Sequence, residues 1–334
     1  MVGKYEVEEL IHKAYESLKR GDADTALEQL KNALKINFEH PEVLYALKCL
    51  NWWLEKIKRL DHFFDQYEKG CFILSQWKSY YEFLERINEA GQINMENQFP
   101  NEGTADSCQY AIRRFVFSLA LRFFLDILDS GNQQDTELLL QAGRCSKGSG
   151  EWVEAQKYLE QASRLRRDDS AILSELADVN ALLGDERTAK VLFREAFFID
   201  PQGIDIWALE SQLIAALIEK VRAFGYRNQL LAEWIPVWGC IWGVFSIKRE
   251  LKPVELGRLK QNILYLENEY RSSNKDNKNS SDSQIKPRLL NRYFWLVEHC
   301  EYNRDNTGLI DETLLKIKFI DPAIYEQYRG LGEK

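Results

Sequence analysis

A period of 34 residues constrains this chain more than any other feature. The segment GEWVEAQKYLEQA begins at Gly150 and GDERTAKVLFREA at Gly184, an offset of 34. In that register Leu139 aligns with Leu173, Ala142 with Leu176, Gly143 with Ala177, Ala155 with Ala189, Leu159 with Phe193 and Ala162 with Ala196. The second unit closes on Asp200-Pro201, and the same order recurs near the N-terminus as Leu10, Ala14, Gly21-Asp22, Ala26, Leu30 and Ala33. A self-similar unit of this length is one supersecondary element that cannot bury its apolar face alone, so neighbours must stack. Apolar spacings of three and four make both halves of each unit helical. Gly21, Gly150 and Gly184 fall where a first helix ends, in a left-handed conformation that costs glycine little. The Asp, Glu or Asp that follows suits the positive end of the second helix. Gly143 and Ala177 are small enough for helices to approach closely, and Leu159 and Phe193 fill the space between them.

These residues resemble the tetratricopeptide-repeat (TPR) family. The resemblance is close over 136–201, looser over 7–38, and thin over 41–68 and 204–224, where Leu44, Leu47 and Trp207 serve as anchors. It implies an all-α fold: a TPR-type helix-turn-helix solenoid with an aperiodic α-helical C-terminal block. The structural repeat signature is Gly21, Ala26, Gly143, Gly150, Ala155, Ala177, Gly184, Ala189 and Pro201. The expected organisation is a degenerate TPR-like region over 1–106, an array over 107–224 with its best units at 136–169 and 170–203, and a helical capping region over 225–334. Phe38 and Arg167 depart from the pattern, standing where proline usually closes a unit. A long aromatic helix is expected around 59–87, a polar loop near 88–106, and an apolar helix over 107–129 as half of a degenerate unit.

Beyond residue 225 the period is lost. Pro236 and Pro253 each stand where a helix could start. Leu256, Leu259, Ile263, Leu266 and Tyr270 form one amphipathic stripe. The run RSSNKDNKNSSDSQIK over 271–286 reads as a flexible loop. Trp234, Trp238 and Trp242 share a helix face, either a partner-binding ridge or a cap; the apolar residues around them favour a buried cap. Trp52 and Trp53 cannot share a face, so one of them should reach solvent or a groove.

Composition removes several function classes. The 334 residues are 45% hydrophobic and 29% charged, which is ordinary globular usage. A net charge of −8 argues against a general electrostatic grip on nucleic acid or anionic membrane. The N-terminal MVGKYEVEELIHKAYESL is charged and helix-periodic, unlike a secretory signal. The longest uncharged stretch, Trp234–Ile247, contains Pro236 and is shorter than the roughly 20 residues a spanning helix needs. Six scattered cysteines without a C-x-x-C pair read as small buried hydrophobes in a reducing, cytoplasmic setting.

Catalytic motifs are missing. The four histidines lie far apart with no H-E-x-x-H, so neither a metal nor a cofactor is expected. KGSGE over 147–151 lacks the P-loop spacing and reads as a helix–helix turn. No G-x-S-x-G occurs. From Lys248 to Arg292 there are 11 basic and 6 acidic side chains, but they interleave as on a solvated helix face. The lysine-asparagine clamp of chaperone-binding TPR modules is absent: the first-helix surface carries Ile11 and Tyr15 in one unit, Glu137 and Gln141 in another.

The expectation is therefore a non-catalytic interaction scaffold. By resemblance, its concave groove would bind a peptide or helix of another protein, with no nucleic acid and no membrane span. Arg144, Asp178 and Gln212, 34 residues apart, would form one row across that groove, flanked by Lys147 and Ser174. The alternatives are an enzyme or a nucleic-acid-binding protein that uses the C-terminal helical region.

Overall fold

Apolar periodicity decides the secondary structure throughout. The computed structural model describes residues 2–94, 102–131, 134–245, 249–275, 284–304 and 306–331; among them are fifteen α-helices, three short 3-10 turns and no strand. The chain divides into two units, Met1–Leu165 and Arg166–Lys334.

The first unit holds α1 (Val2–Lys19), α2 (Ala23–Ile36), α3 (Pro41–Ile57), α4 (Gln66–Asn94), α5 (Glu102–Asp129), α6 (Thr136–Gly148) and α7 (Trp152–Leu165). Two hairpins, α1–α2 and α6–α7, share one build. Gly21 and Gly150 turn the chain with φ of +86° each, a conformation an L side chain adopts only under strain. The Asp22 carboxylate accepts the Thr25 backbone N–H at 3.0 Å and starts α2. One face of each second helix is then fully buried: Ala26, Leu30 and Ala33 on α2, and Ala155, Leu159 and Ala162 on α7. A Cβ at Gly143 would lie 2.6 Å from the Leu159 Cγ, so glycine sets how closely α6 and α7 approach.

Between the hairpins the repeat is lost. The helix expected around 59–87 instead breaks into a 3-10 turn at Lys58–His62 and the longer α4. The loop expected near 88–106 is helical at both ends; 95–101 lie outside the described residues. The helix α5 packs on α1, α3, α4 and α6, which is more than half a hairpin would touch. Its Ala111, Ile112, Phe115, Val116, Ala120 and Phe124 are buried. Trp52, Trp53, Trp77, Tyr80, Phe83 and Phe117 form an aromatic cluster with ring centroids 4.9–6.1 Å apart. Trp53 is wholly buried there. Trp52 is half-buried, with the Lys56 ammonium 4.8 Å from its ring centre.

The second unit begins with a third hairpin of the same build, α8 (Ser170–Leu182) and α9 (Glu186–Ile199). Gly184 turns it with φ of +90°, and Asp185 caps α9 through the Thr188 N–H at 3.1 Å. Ala189, Phe193 and Ala196 are fully buried. Where the 34-residue period would begin a further unit, at 204, no α-helix starts. Asp200-Pro201 opens a 3-10 turn over Pro201–Gly203, a second follows at Ile206–Ala208, and α10 (Gln212–Ala223) starts only afterwards. Trp207, the expected anchor, is 79% exposed.

The C-terminal block comprises α11 (Asn228–Ile241), α12 (Pro253–Lys275), α13 (Ile285–Asn303), α14 (Thr307–Ile320) and α15 (Pro322–Leu331). Pro236 lies inside α11 rather than at its start, whereas Pro253 does open α12. Trp234 and Trp238 are buried, with Tyr226 stacked on the first at 4.8 Å and Phe224 on the second at 4.6 Å. Trp242 falls just past the helix end and is half-buried. The three indoles thus belong to the core of this unit. Arg194 is buried against Glu298, donates to the Phe245 carbonyl at 3.0 Å and stacks on Trp295. The loop expected over 271–286 is helical at both ends: α12 reaches Lys275 and α13 begins at Ile285. Extending an established helix through Arg271–Lys275 costs little once it is nucleated; 276–283 lie outside the described residues.

Replacing Ala189 with Trp should lower stability by at least the roughly 1–3 kcal/mol typical of overpacking, because the site has no accessible surface. Urea unfolding followed by circular dichroism checks this. An unchanged midpoint would mean that the residue faces solvent.

Candidate functional site

The expected row across the repeats is largely withdrawn from solvent. Asp178 is fully buried, and its two carboxylate oxygens accept the backbone N–H groups of Glu210 at 2.9 Å and Ser211 at 2.8 Å. It therefore caps the start of α10, satisfying donors that the helix leaves open. Ser174 is buried and donates to the Ala171 carbonyl at 3.0 Å. Lys147 is buried and Arg144 half-buried. Gln212 is exposed but is the first residue of α10, whereas Arg144 and Asp178 lie in the bodies of α6 and α8. The 34-residue spacing holds between Arg144 and Asp178 but not for Gln212, because two 3-10 turns use up the residues that should have begun its helix. Ile11 and Tyr15 are likewise buried rather than presented on a surface.

A concavity lies in the first unit, where α1, α3 and α5 converge. It encloses about 540 Å³. Glu8, Glu16, Glu42 and Asp106 contribute four carboxylates to its wall against one ammonium, Lys19, with His12 and the rings of Tyr15 and Tyr110 between them. Lys19 is committed to Glu16 at 2.7 Å and lies 5.5 Å from the Tyr110 ring centre. The Tyr15 hydroxyl donates to the Glu42 Oε1 at 3.0 Å. Burial pushes the Glu42 carboxyl above its ordinary value; the Tyr15 hydrogen bond opposes this and the charge of Glu8 adds to it. Burial, together with Cys108 and Glu42, pushes the Tyr15 phenol far up, so it remains a donor.

Chemically, this wall is poised for a positive group. A carboxyl such as that of Glu42, whose charge burial and a neighbouring carboxylate disfavour, gains from a cation placed beside it, and the tyrosine faces add quadrupole attraction. No motif pointed to this wall, since Tyr15, Glu42 and Asp106 come from three different helices. Among the described residues no group of three or more His, Cys, Asp or Glu side chains is arranged to hold a metal ion.

Four cations of the basic stretch over 248–292 are engaged within their own unit. Arg249 binds Glu195 and Glu255, Arg288 binds Glu233, Lys286 binds Asp321, and Arg292 stacks on Phe198. No described helix is long and apolar enough to cross a membrane. Compared with protein-family models and with curated proteins, the sequence matches none.

The raised pKa of Glu42 carries a sign that can be checked. Its folded form favours the proton, so its contribution to stability is fully present below the ordinary carboxylate pKa and is lost as pH rises through the folded value. Glu42→Gln should therefore raise the melting temperature relative to wild type at pH 7, and the difference should shrink at pH 4. A difference independent of pH in differential scanning calorimetry would show that Glu42 ionises freely.

Proposed function

We propose that the chain is a non-catalytic, TPR-type interaction scaffold. Its cavity between α1, α3 and α5 receives a lysine or arginine side chain from a segment of another protein. The observation that carries this reading is the charge of the wall: beside the Glu16–Lys19 pair it holds three further carboxylates, Glu8, Glu42 and Asp106, around a volume of about 540 Å³. Hairpins with a common turn and a common alanine contact support the TPR part, because rigid stacked helices hold side chains in fixed register. Specificity then comes from charge complementarity more than from apolar area. Six free cysteines suit a reducing compartment, so we read the scaffold as cytoplasmic.

The test is a peptide-array screen followed by titration of the preferred peptides. Lysine- and arginine-containing peptides should bind, and binding should weaken as salt rises. Reversing two exposed rim charges, Glu8→Lys with Asp106→Lys, should weaken binding at least about tenfold, or about 1.4 kcal/mol. Equal binding of acidic and basic peptides, or unchanged affinity in the double variant, would overturn the reading.

A further inference from the structure

One cation in the wall of the cavity belongs to the protein itself. Lys19 donates to the Glu16 Oε1 at 2.7 Å, and its ammonium lies 5.5 Å from the centre of the Tyr110 ring, which reaches it from α5. All three residues line the cavity. A carboxylate and an aromatic face are the partners that an incoming ammonium would seek. A second pair on α1 shows what an ordinary surface contact looks like. Lys13 and Glu9 meet at 2.6 Å, but their side chains are 56% and 66% exposed, against 30% and 37% for Lys19 and Glu16. Neither Lys13 nor Glu9 lines the cavity.

The other carboxylates are set out along the cavity. Glu8 and Glu16 are eight residues apart on α1 with His12 midway, so they share one side of the helix and stand about 12 Å apart along it. Glu42 reaches the cavity from α3, where the Tyr15 hydroxyl holds it at 3.0 Å and Glu8 is close enough to oppose its charge. Asp106 lines the wall from α5, one turn before Tyr110. In an extended peptide, side chains on one face recur every second residue, about 6.5–7 Å apart. Three of them span about 13 Å, close to the stretch from Glu8 to Glu16.

We propose that Lys19 stands in for a ligand cation and so sets the specificity of the cavity. The occupant is an extended segment of a partner protein with basic residues at alternating positions. Glu8, Glu42 and Asp106 receive two of them. The place for a third, on Glu16 and the Tyr110 ring, is filled by Lys19. A third basic residue must expel an ammonium that its tether keeps at high local concentration, so it gains nothing. The cavity therefore reads two alternating basic residues and is indifferent to the next. This inference rests on the proposed binding of a basic segment, and adds to it the spacing and number of the charges.

The experiment titrates synthetic heptapeptides, in one-letter code AKAKAKA, AKAKAQA, AAKKKAA and AEAEAEA, into the full-length protein by calorimetry at physiological salt. Wild type, Lys19→Ala and Lys13→Ala are compared; both lysines are partly exposed and alanine suits a helix, so the fold is kept. Lys13→Ala removes the same charge outside the cavity and reports long-range electrostatics alone. Wild type and Lys13→Ala should bind AKAKAKA and AKAKAQA within about twofold of each other. Lys19→Ala should bind AKAKAKA about three- to tenfold more tightly than AKAKAQA, and AAKKKAA should lack that gain. An equal gain in Lys13→Ala, no gain in Lys19→Ala, or the same gain with AAKKKAA overturns the inference while the binding of basic segments stands. If no variant prefers AKAKAKA to AEAEAEA, both fall together.

Discussion

The first unit depends on how α5 is seated. A helix whose buried residues include Ala111, Ile112, Phe115, Val116, Ala120 and Phe124 must be enclosed on most sides, and α1, α3, α4 and α6 enclose it. Fully burying a side chain such as Ile112 or Phe124 contributes about 1.5–3 kcal/mol, so the interface is among the larger stabilising features of the unit. It also decides what α1 can present. Ile11, Ala14, Tyr15 and Leu18, the face of α1 that a bare helical array would offer to a ligand, are buried. What remains open is the cavity where α1, α3 and α5 diverge.

The polar groups of the unit follow from that enclosure. Glu42 is drawn far enough inside to resist ionisation, yet it is held by Tyr15 and faces the open volume. In the second unit buried charge is handled differently. Arg194 and Glu298 pair with each other, a contact whose loss from one side costs about 3–5 kcal/mol.

The sequence made the hairpins legible because their constraints are local. A glycine that must adopt positive φ, an acidic cap and an alanine contact all sit within one unit and recur with its period. The same locality hid the rest. The helix α5 is apolar nearly all round, so its pattern does not say which helices surround it. Tyr15 read as a groove residue because nothing in its own helix shows that α5 covers it. Asp178 matched Arg144 in register, yet tertiary structure used its carboxylate to start α10, and the 3-10 turns after Pro201 moved Gln212 out of register.

Hydrogen exchange measured by mass spectrometry on the native protein tests the central claim, that α5 is part of the core and closes the face of α1. The expected result is that peptides covering residues 111–124 exchange as slowly as those covering 11–18, since burial and helical hydrogen bonds protect both. Fast exchange in 111–124 with full protection of 11–18 would contradict it, because α1 would then keep its structure without α5 and its face would be free to serve as an open groove.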